Sequence, residues 1–204
     1  MEASVEAPRR LEGEKAQRIV TAMRASVSTR GAAASTFDHV AREAGVSRGL
    51  LHYYFGSKEQ LLVEVVRRDC ETRIQAMAER FAGARDADAI VAALVVGLEE
   101  FMDQPGSQAL VYEMLTASRH SEEIRAELAE LYRRWREFLA AALREKQDEG
   151  VVKLDADPES VASMLFALGD GFGIQVISDP SWDKEAALAL GIRIARGLLS
   201  ADPR

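Results

Sequence analysis

Arg48, His52, Tyr53, Tyr54 and Lys58 lie together in the stretch GVSRGLLHYYFGSK, residues 45–58. Their types suit one chemistry. A guanidinium fork matches the acceptor edge of guanine, and an imidazole N–H and phenolic O–H groups donate to phosphate oxygens. Ring faces lie against sugars or thymine methyls, and an ammonium neutralises a backbone phosphate. The structural alternative is a helical hairpin whose rings fill an interface. Other chemistries are poorly supplied: His39, His52 and His120 are scattered, no HExxH or nucleophile elbow occurs, and Asp157 with Glu159 marks a helix start better than a catalytic carboxylate pair.

Charge separates the two readings of the aromatic stretch. The 204 residues carry a formal charge of −7, which on average argues against a polyanionic partner. The average hides an asymmetry. Residues 9–58 hold nine Lys and Arg against four Asp and Glu, a balance of +5, whereas residues 59–204 hold 17 against 27, a balance of −10. A basic head on an acidic body directs the head to a polyanion, and an interface-filling hairpin gives no reason for the excess. At +5 the head is too modestly charged to coat nucleic acid by electrostatics alone, so groove contacts are implied.

The elements that must position these residues are helices. Prolines are absent between Arg9 and Gln104, and apolar residues recur at three and four rather than at two. The first helix is expected over 13–29, with Ile19, Met23 and Val27 on one face and TRGAAAS as its end. A short second helix starts at Ser35 or Thr36, either of which can cap it. EAGVS turns the chain, Ser47 caps a third helix over 48–54, and Ser57 with Gln60 makes a capping box for a long fourth helix reaching about residue 81. Later helices are expected at 87–103, 108–119, 122–149, 158–178 and 184–200, with Ser121 and Asp157 as caps and Pro158 in a first turn. The chain is thus all-α, with about nine helices. It divides into a mobile tail (1–12), a three-helix DNA-binding head (13–58) and a helical body (59–204).

Two short helices joined at a glycine, the second carrying polar and aromatic groups outward, form a helix-turn-helix. Val40 and Ala41 face inward, Gly45 supplies a positive φ, and Val46, Leu51 and Phe55 close the small core. Arg48, Gly49, His52 and Tyr53 are left outside, with Tyr54 at the edge. Arg48 is the candidate for a guanine contact, Gly49 lets the backbone approach the groove, and Leu50 offers apolar contact. Thr36, Ser47 and Lys58 stand at helix starts suited to backbone phosphates.

The segment TFDHVAREAGVSRGLLHYYFGSKEQLL resembles the signature of the TetR family of bacterial transcriptional regulators. His52 stands where many members carry tyrosine, so the bases read are not inherited from relatives. LVYEMLTASR, LYRRWREFL and ALGDGFGIQVISDP are similar to the C-terminal region of a subgroup that includes the choline-responsive repressor of betaine synthesis, a similarity that carries no ligand with it. The family resemblance implies a homodimer joined through the last two helices of each subunit. The residues point the same way: each glycine of GDGFG, residues 169–173, costs about 1 kcal/mol relative to alanine inside a helix, which close helix approach would offset. Gly169 and Gly173 are accordingly expected to meet Leu188, Gly191, Ile192, Ala195 and Leu199. A phosphate-binding glycine loop fits poorly, because no strand precedes it and no Lys-Ser/Thr follows.

Phe101, Met102, Tyr112, Met114, Trp135, Phe138, Phe166 and Phe172 are candidates to line an apolar effector cavity, with core filling as the alternative for each. Glu113, Arg119, Asp170 and Gln175 are candidate polar anchors. Cys70 is the single cysteine, which excludes an internal disulfide and a multi-cysteine zinc site and suits a reducing compartment. With no run of about 18 uncharged apolar residues, no membrane span is expected. The sequence therefore describes a cytoplasmic, dimeric, ligand-responsive regulator, a repressor at a pseudo-palindromic DNA operator, without enzymatic activity, cofactor or metal. Its effector is expected to be an apolar or aromatic small molecule. An activator, an effector-independent regulator, an architectural DNA binder, and a helical enzyme or carrier with a protein-contact head are the alternatives.

Overall fold

A computed structural model describes residues 13–154 and 156–200; the expected mobile tail, 1–12, lies outside them. Among the described residues the chain is all-α: α1 (Glu14–Ala34), α2 (Phe37–Ala44), α3 (Arg48–Phe55), α4 (Lys58–Gly83), α5 (Ala87–Met102), α6 (Pro105–Ala117), α7 (Glu122–Asp148), α8 (Pro158–Ser178) and α9 (Glu185–Leu199). One isolated parallel bridge, Lys153 to Ser200, ties the segment after α7 to the end of α9.

The caps follow local chemistry. Thr36, Ser47, Asp86 and Asp157 accept the backbone N–H three residues on, satisfying a donor that the first helical turn leaves free. Ser35 does not share that role with Thr36. Its buried hydroxyl takes a hydrogen bond from Ser26 Oγ at 2.9 Å and donates to the Gly31 carbonyl at 2.8 Å. This fold-back explains why α1 passes the expected end at Thr29. Gly31, at φ 76°, kinks the helix and lets one further turn form. The capping box at Ser57 is half made, since Ser57 Oγ accepts from Gln60 N–H at 3.1 Å while the Gln60 amide reaches Glu123 at 2.9 Å. α6 begins at Pro105, ahead of the expected residue 108, because proline is favoured in a first turn.

The helices form two compact units whose boundary differs from the expected division at residues 58 and 59: one comprises residues up to Asp69 with Gln104–Ala129, the other Cys70–Asp103 and the chain from Glu130 onward. Inside the first unit, α6 crosses α1 closely at Gly106, where an added Cβ would stand 3.0 Å from the Arg24 carbonyl oxygen. Asp69 ties three helices together there. It accepts from the Arg24 guanidinium on α1, with the Nε contact at 3.3 Å, and from Ser107 Oγ on α6 at 2.9 Å. The start of α7 is held to α4 by Gln60 with Glu123 and by Arg67 with Glu127. These contacts, which helical periodicity does not encode, are why α6 packs with the head helices.

The second unit has its own core, in which Met77 and Phe81 of α4, Ile90 of α5, Leu139 and Leu143 of α7, Val161 and Leu165 of α8, and Ala195 and Leu199 of α9 are buried together. Contrary to the expectation of no span, α8 is long and apolar enough to cross a membrane by length and composition alone, with a mean hydropathy of 1.5 over its best window. Asp170 and three glycines occupy its middle, and only 22% of that window is buried within the subunit.

Candidate functional site

α2, the turn and α3 build the outer face of the head. Phe37, Val40, Ala41 and Ala44 of α2 and Leu51 and Phe55 of α3 are buried, as the spacing required, while Val46 is half-buried. Gly45 takes the left-handed conformation, φ 65° and ψ 39°, and the Val46 N–H returns to the Ala41 carbonyl at 2.9 Å. Doubling back at the helix end sets α3 across α2 in a single tight turn. Arg48, Gly49, His52 and Tyr53 are exposed, and Leu50 and Tyr54 are half-buried at the edge. Tyr53 stands edge-on to Tyr54, with ring centres 5.0 Å apart. An added Cβ at Gly49 would meet nothing closer than Ser47 Oγ at 4.0 Å. Nothing in the protein demands glycine there, which leaves close approach of an outside partner as its physical use.

Three site residues carry internal bonds that the sequence did not suggest. Arg48 Nη1 donates to both carboxylate oxygens of Asp38, at 2.9 and 3.2 Å, and its Nε donates to His52 Nε2 at 3.3 Å. His52 Nδ1 lies 3.3 Å from the Gly56 carbonyl oxygen, so the two contacts together assign a neutral imidazole protonated on Nδ1. The His52 ring also meets Phe37 edge-on at 4.7 Å. Lys58 Nζ donates to the Ala32 carbonyl oxygen at 2.9 Å, fastening α4 to the end of α1 and leaving two ammonium protons for another acceptor. The sequence held a clue to Asp38: it lies in the first turn of α2, and a helix-turn-helix brings that turn beside the start of α3.

The cavity candidates do not converge. Tyr112 and Met114 belong to the first unit, where Met114 is fully buried core. Phe101, Met102, Trp135, Phe138, Phe166 and Phe172 belong to the second. There Phe101 lies beneath the Arg73 guanidinium at 4.6 Å, and Phe172 packs on Trp182. Trp135, Phe138 and Phe166 come together with Tyr132, a residue the sequence did not single out. Of the candidate polar anchors, Asp170 alone is tied to this cluster, through a hydrogen bond from the Tyr132 hydroxyl. Burial holds its carboxyl above the ordinary value of 3.8, with the Tyr132 hydrogen bond acting in the opposite direction.

The expected dimer row turns inward. Leu199 is 0% exposed and Ala195 8%, both in the core of their own subunit, and Ile192 packs against them. Gly173 is buried, an added Cβ at Gly169 would face Leu98 of α5 at 3.9 Å, and Leu188 and Gly191 are half-buried. The reason is helical phase: Leu188, Ile192, Ala195 and Leu199 repeat at four, three and four, the stripe a helix needs for its own core. The large apolar side chains left outside are Met164, Ile174 and Ile177 on α8 and Leu190 and Ile194 on α9.

Comparison with known proteins agrees with this geometry. Residues 19–65 match the family described as bacterial regulatory proteins, tetR family, and residues 84–200 match the BetI-type transcriptional repressor C-terminal region. The transcriptional regulator BetI of Rhizobium meliloti is 31% identical over 182 residues, 88% of this chain and 87% of that protein. A putative regulator of Saccharomonospora viridis solved in complex with choline is 25% identical, with a TM-score of 0.69 over 90% of this chain and 94% of that one. FadR of Bacillus subtilis, solved with stearoyl-CoA, shares the fold at 21% identity and a TM-score of 0.70, covering 92% of this chain and 99% of that one.

Proposed function

The chain belongs to the TetR family of bacterial transcriptional regulators, with a BetI-type C-terminal region, and from that premise we propose that it is a cytoplasmic homodimeric repressor released from its operator by a small molecule. The observation that carries this reading is the outer face of α3, where Arg48, His52 and Tyr53 stand exposed behind a tight turn. Residues 13–58 are the DNA-reading part and the remainder carries effector binding and dimerisation. Arg48 reads a guanine edge, Tyr53, Tyr54 and His52 contact phosphate and sugar, and Thr36, Ser47, Gly49, Leu50 and Lys58 frame the approach. The protein acts by binding rather than by catalysis.

The second copy covers the outward apolar face of α8 and α9. Met164, Ile174, Ile177, Leu190 and Ile194 are a large exposed set for a water-facing surface, and helix pairing buries it. The same pairing accounts for the composition of α8 without a lipid bilayer. In the dimer the two α3 helices enter successive major grooves about 34 to 36 Å apart. The effector binds in the helical body and biases α4, a helix that runs through both compact units. Coupling of about 1 to 3 kcal/mol lowers operator affinity about 5- to 150-fold, provided the effector binds the released state more tightly.

Selection of bound sequences from random duplex DNA by the purified protein tests the reading. A palindromic motif with half-sites about one helical turn apart is the expected result. Binding without sequence preference, or without two-fold symmetry, would overturn it.

A further inference from the structure

Asp170, on α8, is half-buried and receives one neutral hydrogen bond, from the Tyr132 hydroxyl of α7. Among the described residues no lysine or arginine stands close enough to act on its protonation. An aromatic wall surrounds it. Phe166, one helical turn before Asp170, meets Tyr132 edge-on at 5.4 Å and is stacked by Trp135 at 5.8 Å, and Phe138 adds an edge-on contact to Trp135 at 6.1 Å. All four rings are half-buried, whereas Phe81 behind Phe138 is fully buried. The wall is therefore the margin of the core, not its centre.

A cluster that only filled the core would be better served without a carboxylate, since a desolvated charge lacking a cationic partner is unfavourable. Ring faces and a carboxylate share one preference, for positive charge. A soft organic cation suits both, because it gives up hydration easily and presents methyl or methylene groups to the rings. An anionic ligand would meet Asp170 with repulsion, and an uncharged one would leave it desolvated.

We propose that Tyr132, Trp135, Phe166 and Asp170 recognise a small organic cation, a quaternary or protonated amine, as the charged end of the effector. This rests on the reading of the helical body as the effector-binding region. The rings supply dispersion and cation–π attraction, Asp170 supplies the counter-charge, and the Tyr132 hydroxyl orients the carboxylate. The expectation of a purely apolar effector is thereby replaced by one with an apolar, cationic end.

Calorimetric titration of the full-length protein with tetramethylammonium chloride, and separately with tert-butanol as an uncharged probe of similar size, tests the assignment at matched ionic strength. The cation is expected to bind saturably and about ten-fold or more tighter than the alcohol. Asp170→Asn should weaken cation binding about ten-fold while leaving the alcohol unchanged. Phe166→Leu, which keeps apolar bulk, should weaken the cation several-fold should the first variant fail to fold. Equal affinity for the two probes, or unchanged cation binding in the variants, would overturn the proposal. Operator binding separates this result from the regulatory reading. Cation binding without change in operator affinity leaves the site standing and refutes its regulatory role. Release by an uncharged compound, with no binding of tetramethylammonium, refutes the site and leaves the regulation standing.

Discussion

Replacing Asp38 with asparagine removes the carboxylate that holds Arg48 in the DNA-free head. The two side chains are 59% and 58% exposed, so their ion pair, though made at 2.9 Å, contributes about 0.2 to 1 kcal/mol. A bidentate arginine–guanine contact is worth about 1 to 3 kcal/mol of discrimination. The second quantity exceeds the first, so operator binding opens the Asp38 pair. Asp38→Asn should then raise operator affinity about 1.4- to 5-fold, the equivalent of the pair energy. Arg48→Ala should lower it about 5- to 150-fold and relax preference at one base position. In the Arg48→Ala background, Asp38→Asn should keep only the salt-sensitive gain that comes from removing a negative charge near phosphates. Fluorescence anisotropy of a labelled operator duplex, measured for the four proteins at two ionic strengths, reads the cycle. A loss of affinity on Asp38→Asn would refute the reasoning, because it would mean that the carboxylate still positions Arg48 in the complex. A gain of equal size with and without Arg48 would refute it too.

Two glycine substitutions separate backbone from side-chain crowding. Gly106→Ala would place a Cβ 3.0 Å from the Arg24 carbonyl oxygen, which cannot rotate away, and should lower Tm by about 2 to 8 °C through a net destabilisation of about 1 to 2 kcal/mol. Gly97→Ala would meet only the Met77 Cε, at 2.5 Å, and should stay within about 1 kcal/mol of the parent because a methionine end can turn aside; equal melting of the two variants would refute the distinction. Ile174→Glu, on the outward face of α8, should halve the mass seen by light scattering and abolish tight operator binding, whereas Leu199→Ala, at 0% exposure, should cost about 2 to 5 kcal/mol of subunit stability. Because burial raises the folded-state pKa of Asp170, its ionised form opposes folding once pH passes the ordinary 3.8, and not below it. Asp170→Asn should consequently melt higher than the parent at neutral pH, with the difference vanishing below pH 3.8; lower melting at neutral pH would contradict the assigned cause.

Local chemistry made the helices and the reading face legible in the chain. Thr36, Ser47, Asp86 and Asp157 cap by the hydrogen bond of a short polar side chain to a nearby N–H, and Gly45 turns because it lacks a Cβ; each is a matter of a few neighbouring residues. The exposure of Arg48, His52 and Tyr53 follows equally from Leu51 and Phe55 claiming the other side of α3. The tertiary structure decided what depends on residues distant in sequence. Only packing joins Asp38 to Arg48, joins Asp69 to Arg24 and Ser107, and brings Tyr132 to Asp170. The phase of α8 and α9 was likewise undetermined by composition, since both helices have apolar residues on two sides. The subunit core took Leu165, Ala195 and Leu199 and left Met164, Ile174 and Ile194 for a partner. Periodicity marks which residues can share a face of a helix, but which face is buried in its own subunit depends on the neighbours that fold against it.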